Sequence, residues 1–272
     1  MVKIKKKYDV FNDSLESFYW IGFLLADGSF VGKRYIAISL SLTDINHLDE
    51  FKKFLKTDNT ICVKRRASGF TSNIAMATLR IGDKFTVEKL CEKFNIETNK
   101  TKNPPWIKPS SITDDQFMSL LVGFIDGDGT IFRKKNYDNF GFRLKNHANW
   151  LNNLNIIADN LKRISNIRCK SIAKINKQGY AQLSIDNTKI IKYLKRFTIK
   201  HCLPVLTRKW DMINVGVRRF ELLENEIRPK IKMLRNAGNT FREIQKYLKM
   251  NHNVKLHIST IQYHSRHQYK YA

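Results

Sequence analysis

Two copies of a nine-residue stretch decide the fold: WIGFLLADG at residues 20–28 and LVGFIDGDG at residues 121–129. Each copy belongs to an apolar run, and a helix that is apolar on all sides is buried. Two small residues lie one helical turn apart in each copy, namely Gly22 with Ala26 and Gly123 with Gly127. Small residues at this spacing form a flat strip on which two helix backbones can approach closely. We therefore expect the two helices to pack along these strips, each ended by the glycine that closes its motif.

Each copy also carries an acid directly before its final glycine, Asp27 in the first and Asp128 in the second. If the strips pack together, both carboxylates lie at adjacent helix ends, where the negative ends of the helix dipoles add to their repulsion. A cation between them relieves that repulsion, and such oxygen ligands suit Mg²⁺, which also binds substrate phosphates. The alternative is that each Asp merely caps a core helix. Two copies in matched contexts favour a divalent-metal site for phosphodiester chemistry.

These nonapeptides resemble the LAGLIDADG motif of homing endonucleases, in the single-chain form with two motif copies. Over roughly residues 10–217, the resemblance implies two αββαββ halves related by a pseudo-twofold axis. It also implies double-strand DNA cleavage by Mg²⁺ held between Asp27 and Asp128, with Ala26 and Gly127 also at the metal site. Mn²⁺ would substitute, and Ca²⁺ would bind without cleavage. The sixth motif position differs between the copies, being Leu25 in one and Asp126 in the other.

The family also places a basic residue near each active site, in the segment after the last helix of each half. By this resemblance Lys100 serves the first site and Lys209 the second, with Arg208 as a competitor for the second role. A compact positive charge of this kind stabilises charge that develops on a phosphate. The alternative at each position is an ordinary surface lysine.

Composition points to a polyanionic partner. The chain has 272 residues, with 49 Lys and Arg against 24 Asp and Glu, a formal charge of +25. The basic residues are spread along the chain rather than gathered on an amphipathic helix, which favours nucleic acid over a membrane surface. The four cysteines show no metal-binding spacing and indicate reduced thiols. No signal peptide or membrane-length apolar run is visible, so we expect an intracellular protein.

The order of elements repeats along with the motif. Each half reads as a motif helix, a hairpin, a helix, a second hairpin and a closing helix, and equivalent residues are 128 − 27 = 101 positions apart. The predicted class is α+β, with a first half at residues 1–97, a Pro-containing linker at 98–108 and a second half at 109–217. In detail, the pattern predicts Asp13 as the cap of the first helix, Phe85 on the apolar stripe of a helix at 83–94, and a strand over Ile167–Ile175.

Basic residues recur on the strands and turns of the four predicted hairpins. A twisted β-ribbon fits the DNA major groove, where Arg reads guanine, while other basic side chains meet phosphates. For any one of them an ordinary solvated charge is the alternative, so the recurrence is the informative feature. The candidates are Lys33, Arg34, Lys64, Arg66, Arg80, Arg143, Lys145, Arg168, Lys170 and Lys174.

Residues 218–272 fall outside the duplicated unit and predict a small all-α domain. A long helix, a break at Ala237–Thr240, a second helix and a final basic helix resemble a helix-turn-helix. Its reading surface would include Gln262, Tyr263 and Arg266, although a purely packing role shares the same pattern. The histidines of this region lack accompanying cysteines and regular spacing, which favours a recognition surface over a zinc site.

Two functions remain open at this point. One is a monomeric, site-specific endonuclease that cuts double-stranded DNA at a long target site with Mg²⁺. The other is a protein on the same scaffold that binds without cutting, either an RNA maturase acting on an intron or a DNA-binding protein. Retention of both Asp27 and Asp128 favours the nuclease, because a scaffold that only binds has no evident need for paired carboxylates.

Overall fold

The computed structural model describes residues 11–32, 34–68, 71–97, 99–105, 111–133, 139–169, 171–213, 227–252, 254 and 256–266, with only the backbone for 65–68, 71–74, 263, 264 and 266. The chain divides into two compact units, Met1–Ile213 and Asn214–Ala272. The predicted α+β class is confirmed: helices pack with two antiparallel four-stranded sheets in the first unit. Among the described residues, no helix is long and apolar enough to cross a membrane.

The first half begins with the motif helix and continues through two hairpins and two helices. Its sheet has the order β1-β2-β4-β3. The elements are α1 (Leu15–Asp27), β1 (Gly28–Val31), β2 (Tyr35–Ser41), α2 (Ile45–Leu55), β3 (Cys62–Ser68), β4 (Thr71–Gly82) and α3 (Lys84–Phe94).

The second half repeats this order. Its sheet has the equivalent order β5-β6-β8-β7. The elements are α4 (Asp114–Asp128), β5 (Thr130–Arg133), β6 (Phe140–His147), α5 (Leu151–Ser165), β7 (Lys174–Ile175), β8 (Tyr180–Ile185) and α6 (Thr188–Lys200). Residues 207–213 are helical and form the described part of α7.

Alternation of large apolar residues with small or polar ones along the strands gives each sheet one buried and one open face. On β6, Phe140, Phe142 and Leu144 are buried, whereas Arg143 and Lys145 are exposed. Successive side chains of a strand point to opposite faces, so the apolar set covers the core and the basic set faces outward. The same division holds on β2, where the buried residues are Ile36, Ile38 and Leu40.

The contact between α1 and α4 forms the centre of the first unit. A Cβ added to Gly22 would fall on the carbonyl oxygen of Leu120, and one added to Gly123 would fall on that of Tyr19. These positions therefore hold glycine because the opposing backbone occupies the space of a side chain. This confirms the close approach of the two motif helices that the small-residue spacing predicts.

Three local predictions are wrong. Helix α1 is capped by Ser14, whose side chain accepts a hydrogen bond from the backbone N–H of Ser17, and not by Asp13. Phe85 is 47% exposed, and Val87 takes its place on the buried side of α3. The long strand expected over Ile167–Ile175 is limited to Lys174–Ile175 among the described residues of that stretch.

The second unit contains three described helices, α8 (Arg228–Asn236), α9 (Phe241–His252) and α10 (Ile258–Arg266). The hydroxyl of Thr240 accepts from the backbone N–H of Glu243, whose carboxylate accepts from the Thr240 N–H, so a capping box starts α9. A small apolar core joins the three helices. It consists of Ile227, Ile231, Ile244, Leu248, Val254 and Ile261.

Candidate active site

The two motif helices deliver Asp27 and Asp128 to one place. Asp27 is partly accessible to solvent. Desolvation of its carboxyl by the surrounding protein, together with the negative charge of Asp128, raises the pKa of Asp27 to about 6. Burial also raises the pKa of Asp128, while Lys100, Lys209 and a hydrogen bond from Asn146 act in the opposite direction. That hydrogen bond runs from Asn146 Nδ2 to Asp128 Oδ2 at 3.0 Å. A partly desolvated carboxylate whose ionisation a neighbouring carboxylate disfavours marks a site where a cation is stabilising.

The donor set fits a hard divalent cation. Two carboxylates suffice for Mg²⁺, which keeps several waters and completes its shell with substrate phosphate oxygens. Among the described residues, this pair included, no three or more His, Cys, Asp or Glu side chains gather in one place, so a metal at this pair would take its other ligands from water and substrate. This holds also for His252 and His257 in the described part of the C-terminal unit. Asp27 and Asp128 stay candidate metal ligands because of their proximity at the two helix ends.

Lys100 lies at the C-terminal end of α1. Its ammonium donates to the carbonyl oxygens of Leu25 at 2.7 Å and Ala26 at 2.6 Å. Burial lowers its pKa, while Asp128 and Asp27 act in the opposite direction. Because a cation at this end complements the negative pole of the helix, Lys100 both caps α1 and brings a positive charge beside the acids.

Lys209 occupies the equivalent place at the end of α4. Its three N–H donors are shared among four carbonyl oxygens within hydrogen-bonding distance of Nζ, those of Ile125 at 3.0 Å, Asp126 at 2.5 Å, Gly127 at 3.1 Å and Gly129 at 2.7 Å. Burial again lowers the pKa of the lysine. The sequence resemblance implies Ala26 and Gly127 at the metal site. Their carbonyl oxygens already accept hydrogen bonds from Lys100 and Lys209, and each oxygen has a second lone pair.

Arg208 has a different role from its neighbour. Its guanidinium forms a two-pronged ion pair with Asp44, with Nε 2.6 Å from Oδ1 and NH2 2.7 Å from Oδ2. Asp44 directly precedes α2, so this ion pair links the first half to α7 of the second. The geometry places Lys209 rather than Arg208 at the end of α4.

An open cavity of about 490 Å³ adjoins the first site. Asp27, Ser29, Asn99, Lys100 and Thr101 contribute to its lining. A carboxylate, an ammonium, an amide and two hydroxyls in the lining can hold a metal-bound phosphate group and the water around it.

A buried polar network behind the second site escaped the sequence analysis. Asp126, 1% exposed, accepts hydrogen bonds from Tyr19 Oη at 2.8 Å, Trp210 Nε1 at 2.7 Å and the backbone N–H of Leu206 at 2.9 Å. Burial raises the pKa of Asp126 to about 6 although these donors oppose it. Tyr19 Oη also lies 3.0 Å from His47 Nε2, and burial lowers the pKa of His47 to about 4. An acid inside an apolar helix signals a need for partners, but the sequence does not say which residues supply them.

The chain matches no protein-family model and no curated protein. It is similar in structure to the homing endonuclease I-WcaI bound to its DNA recognition sequence, with a TM-score of 0.54 and 16% identity over 77% of this chain and 94% of that one. The LAGLIDADG homing endonuclease I-GzeII in complex with its DNA target matches with a TM-score of 0.50 and 12% identity over 93% and 98%. The chain has the two-half LAGLIDADG fold. The sequence resemblance and the implied fold are therefore confirmed.

Most candidate DNA-binding residues with described side chains lie on the outer faces of the two LAGLIDADG sheets. In the first sheet, Arg80 pairs with Ala37 across β4 and β2, and Lys64 faces outward on β3. In the second sheet, Lys145 pairs with Gln182, which pairs with Lys174, so these three side chains form one row. Gln182 was missed by the sequence analysis, although Gln and Asn are the residues that pair with adenine.

The other candidates are placed less uniformly. Arg143 shares the outer face of β6 with Lys145, whereas Arg34 is exposed in the β1–β2 turn and Arg168 is exposed before β7. Gln262 is half-buried on α10. The remaining candidates lie outside the residues, or the side chains, that the structure describes: Lys33, Arg66, Lys170, Tyr263 and Arg266.

Proposed function

We propose that this chain is a monomeric, intracellular, site-specific endonuclease that cuts both strands of DNA with a divalent metal at Asp27 and Asp128. The observation that carries the proposal is the pair of equivalent centres, each with a carboxylate and a lysine at the end of a motif helix. Two centres related by duplication suit a substrate with two antiparallel strands. The similar structures of I-WcaI and I-GzeII are bound to DNA, which supports the same partner here.

The chemistry divides between the metal and the chain. When bound, Mg²⁺ activates water and stabilises the leaving oxygen; Mn²⁺ would substitute, and Ca²⁺ would bind without supporting cleavage. Asp27 and Asp128 hold the cation, and Asn146 orients the carboxylate of Asp128. Lys100 and Lys209 provide positive charge where negative charge develops on the phosphate. Both lysines are largely desolvated, so their charges act more strongly than they would in water.

The outer faces of the two sheets would bind the duplex. Basic side chains on β3, β4, β6 and β7 supply phosphate contacts and guanine contacts, while Gln182 has the donor and acceptor needed for adenine. Two sheets side by side cover a long target site. The C-terminal unit would extend this footprint, because its described residues 227–252 and 256–266 contain eight Lys and Arg and one Glu.

The decisive experiment is cleavage of a randomised duplex library with Mg²⁺, with ends recovered by sequencing and with EDTA and Ca²⁺ as metal controls. Asp27→Asn and Asp128→Asn should each abolish double-strand cutting and leave binding to the recovered site largely intact. Asp115→Asn, at the opposite end of α4, is the matched control and should cut as the wild type does.

Two outcomes would contradict the proposal in different ways. Full double-strand cutting by either Asn variant would refute the metal-site assignment. Convergent binding without any cut would instead favour the protein that binds only. Comparing affinity for duplex DNA with affinity for structured intron RNA at matched salt would then decide between a DNA-binding protein and a maturase.

A further inference from the structure

We infer that Asp126 is a positioning residue for Lys209, that Trp150 has the corresponding role for Lys100, and that each support serves one centre only. The part of this inference that concerns cutting rests on the proposed function. The part that concerns the two lysines rests on contacts in the chain alone.

The support of Lys209 is built around the buried carboxylate of Asp126. Its two oxygens accept from Trp210, which directly follows Lys209, and from the backbone N–H of Leu206, three residues before it. The segment that carries Lys209 is therefore tied on both sides to the same side chain. Tyr19 Oη holds that side chain from the opposite helix. Because α4 carries both Asp126 and the carbonyls that Lys209 contacts, the tie fixes the ammonium against the end of α4.

At the first centre, the described residues include no equivalent carboxylate. The position that corresponds to Asp126 is Leu25, which is apolar and 1% exposed. The segment that carries Lys100 is instead held from the start of α5 through its backbone. Trp150 Nε1 donates to the carbonyls of Lys100 at 3.2 Å and Thr101 at 3.1 Å. Asn149 Nδ2 donates to the Lys102 carbonyl, and Asn153 Nδ2 to the Pro105 carbonyl, each at 2.6 Å.

The two supports share no residue and no hydrogen bond. One indole serves each of them, Trp210 at the second centre and Trp150 at the first. The chain therefore offers a matched pair of substitutions, Trp210→Phe and Trp150→Phe, each of which removes the same N–H donor and the same ring volume from a buried indole. If these residues only stabilised the fold, loss of either donor would loosen both lysines alike.

The first test measures the lysines directly and needs neither metal nor DNA. The folded chain is treated with a limiting amine-acylating reagent, and the labelling rates of Lys100 and Lys209 are read by peptide mass spectrometry. Trp210→Phe and Asp126→Asn should raise the labelling rate of Lys209 by up to about tenfold, the change expected when a hydrogen bond of ordinary net strength is lost. Lys100 should label at the wild-type rate in both variants, and Trp150→Phe should show the reverse pattern.

Parallel labelling changes at both lysines, or no change at either, would overturn the inference. Asp126→Asn replaces one carboxylate oxygen with an NH2 group, which cannot accept from the donors Tyr19, Leu206 or Trp210. This substitution can therefore destabilise the fold. Trp210→Phe leaves the Tyr19 and Leu206 donors in place, so it keeps the test decisive if the Asn variant does not fold.

The second test follows each DNA strand separately on the recovered target site. Asp126→Asn and Trp210→Phe should slow cleavage of one strand and accumulate a nicked duplex, whereas Trp150→Phe should slow the other strand. Equal slowing of both strands with wild-type DNA affinity would overturn the strand assignment. A wild-type chain that cuts neither strand would refute the proposed function, and the labelling pattern would still decide the positioning roles.

Discussion

The methyl group of Ala26 faces Gly127 across the α1–α4 contact, and exchanging the two residues tests the packing of the motif helices. A Cβ added to Gly127 would collide with the Ala26 methyl, while its next neighbours are the Asp27 nitrogen at 3.3 Å and the Ala26 Cα at 3.5 Å. The collision therefore depends on a single methyl group. Gly127→Ala alone should destabilise the chain, and adding Ala26→Gly should restore it.

The magnitudes follow from opposing effects. Overpacking costs about 1–3 kcal/mol, against a gain of up to about 1 kcal/mol from the helix propensity of alanine, so Gly127→Ala should lose up to about 2 kcal/mol. Ala26→Gly loses about 1 kcal/mol of helix propensity and about 0.8 kcal/mol of buried methyl. In the exchanged pair the changes in packing and in helix propensity cancel. Its free energy of unfolding should therefore be within about 1 kcal/mol of the wild-type value, with a coupling energy between the two substitutions of about 2–3 kcal/mol.

Urea unfolding followed by tryptophan fluorescence is the appropriate assay. All four tryptophans precede residue 214, so the signal reports on the unit that contains the motif helices. Gly123→Ala is the control that no exchange can rescue. Its Cβ would fall on the Tyr19 carbonyl oxygen and lie 2.9 Å from the Phe23 nitrogen, and both are backbone atoms. An exchanged pair as unstable as the sum of its single variants would refute the reasoning.

Three further predictions concern charge. The folded-state pKa of Asp27 is raised to about 6, so without divalent metal its ionisation lowers the free energy of unfolding progressively between about pH 4 and pH 6, and the loss is complete above that range. In urea unfolding, Asp27→Asn should therefore be more stable than the wild type at pH 8. The difference should disappear by pH 4, and it should reverse at pH 8 when Mg²⁺ is added. The folded-state pKa of His47 is lowered to about 4, so the unfolded state binds a proton more readily as the pH falls. Between pH 7 and pH 4 the free energy of unfolding should therefore fall by about 3 kcal/mol more in the wild type than in His47→Gln, as measured by urea titration. Replacing Lys246 and Lys249 on α9 with alanine should reduce the log–log salt slope of DNA affinity by up to about 2, and an unchanged slope would exclude these residues from phosphate contact.

The sequence was sufficient for the features that local patterns determine. Gly22 and Gly123 at helical spacing predicted the close helix contact, because no larger side chain fits a site that the opposing backbone fills. The apolar and basic residues that alternate on β6 are a local pattern that accounts for which of its side chains are buried, and Thr113 with Gln116 is the local pattern of the capping box that starts α4. Each of these depends on residues within one or two turns of chain.

The features that local patterns do not determine were missed. Tyr19 and Asp126 are 107 positions apart, and Arg208 lies 164 positions from Asp44. Hydrophobic periodicity carries no information on which distant polar groups meet. Ser14 and Asp13 are both suitable cap residues, so only the backbone geometry separates them.

The buried network also favours contact between α1 and α4 over contact between two copies of the same motif helix. The offset of 101 residues relates Tyr19 to Leu120 and Leu25 to Asp126. The polar pair Tyr19–Asp126 therefore corresponds to the apolar pair Leu120–Leu25. These two leucines line one small apolar cavity. Two copies of α4 packed in the same way would place each Asp126 against Leu120, and two copies of α1 would place each Tyr19 against Leu25. Either arrangement loses the Tyr19–Asp126 hydrogen bond, which costs about 1–3 kcal/mol, although Asp126 would keep the Trp210 and Leu206 donors and Tyr19 would keep His47. Only α1 against α4 makes this hydrogen bond, so the pair favours contact between the two different motif helices over contact between two copies of either one.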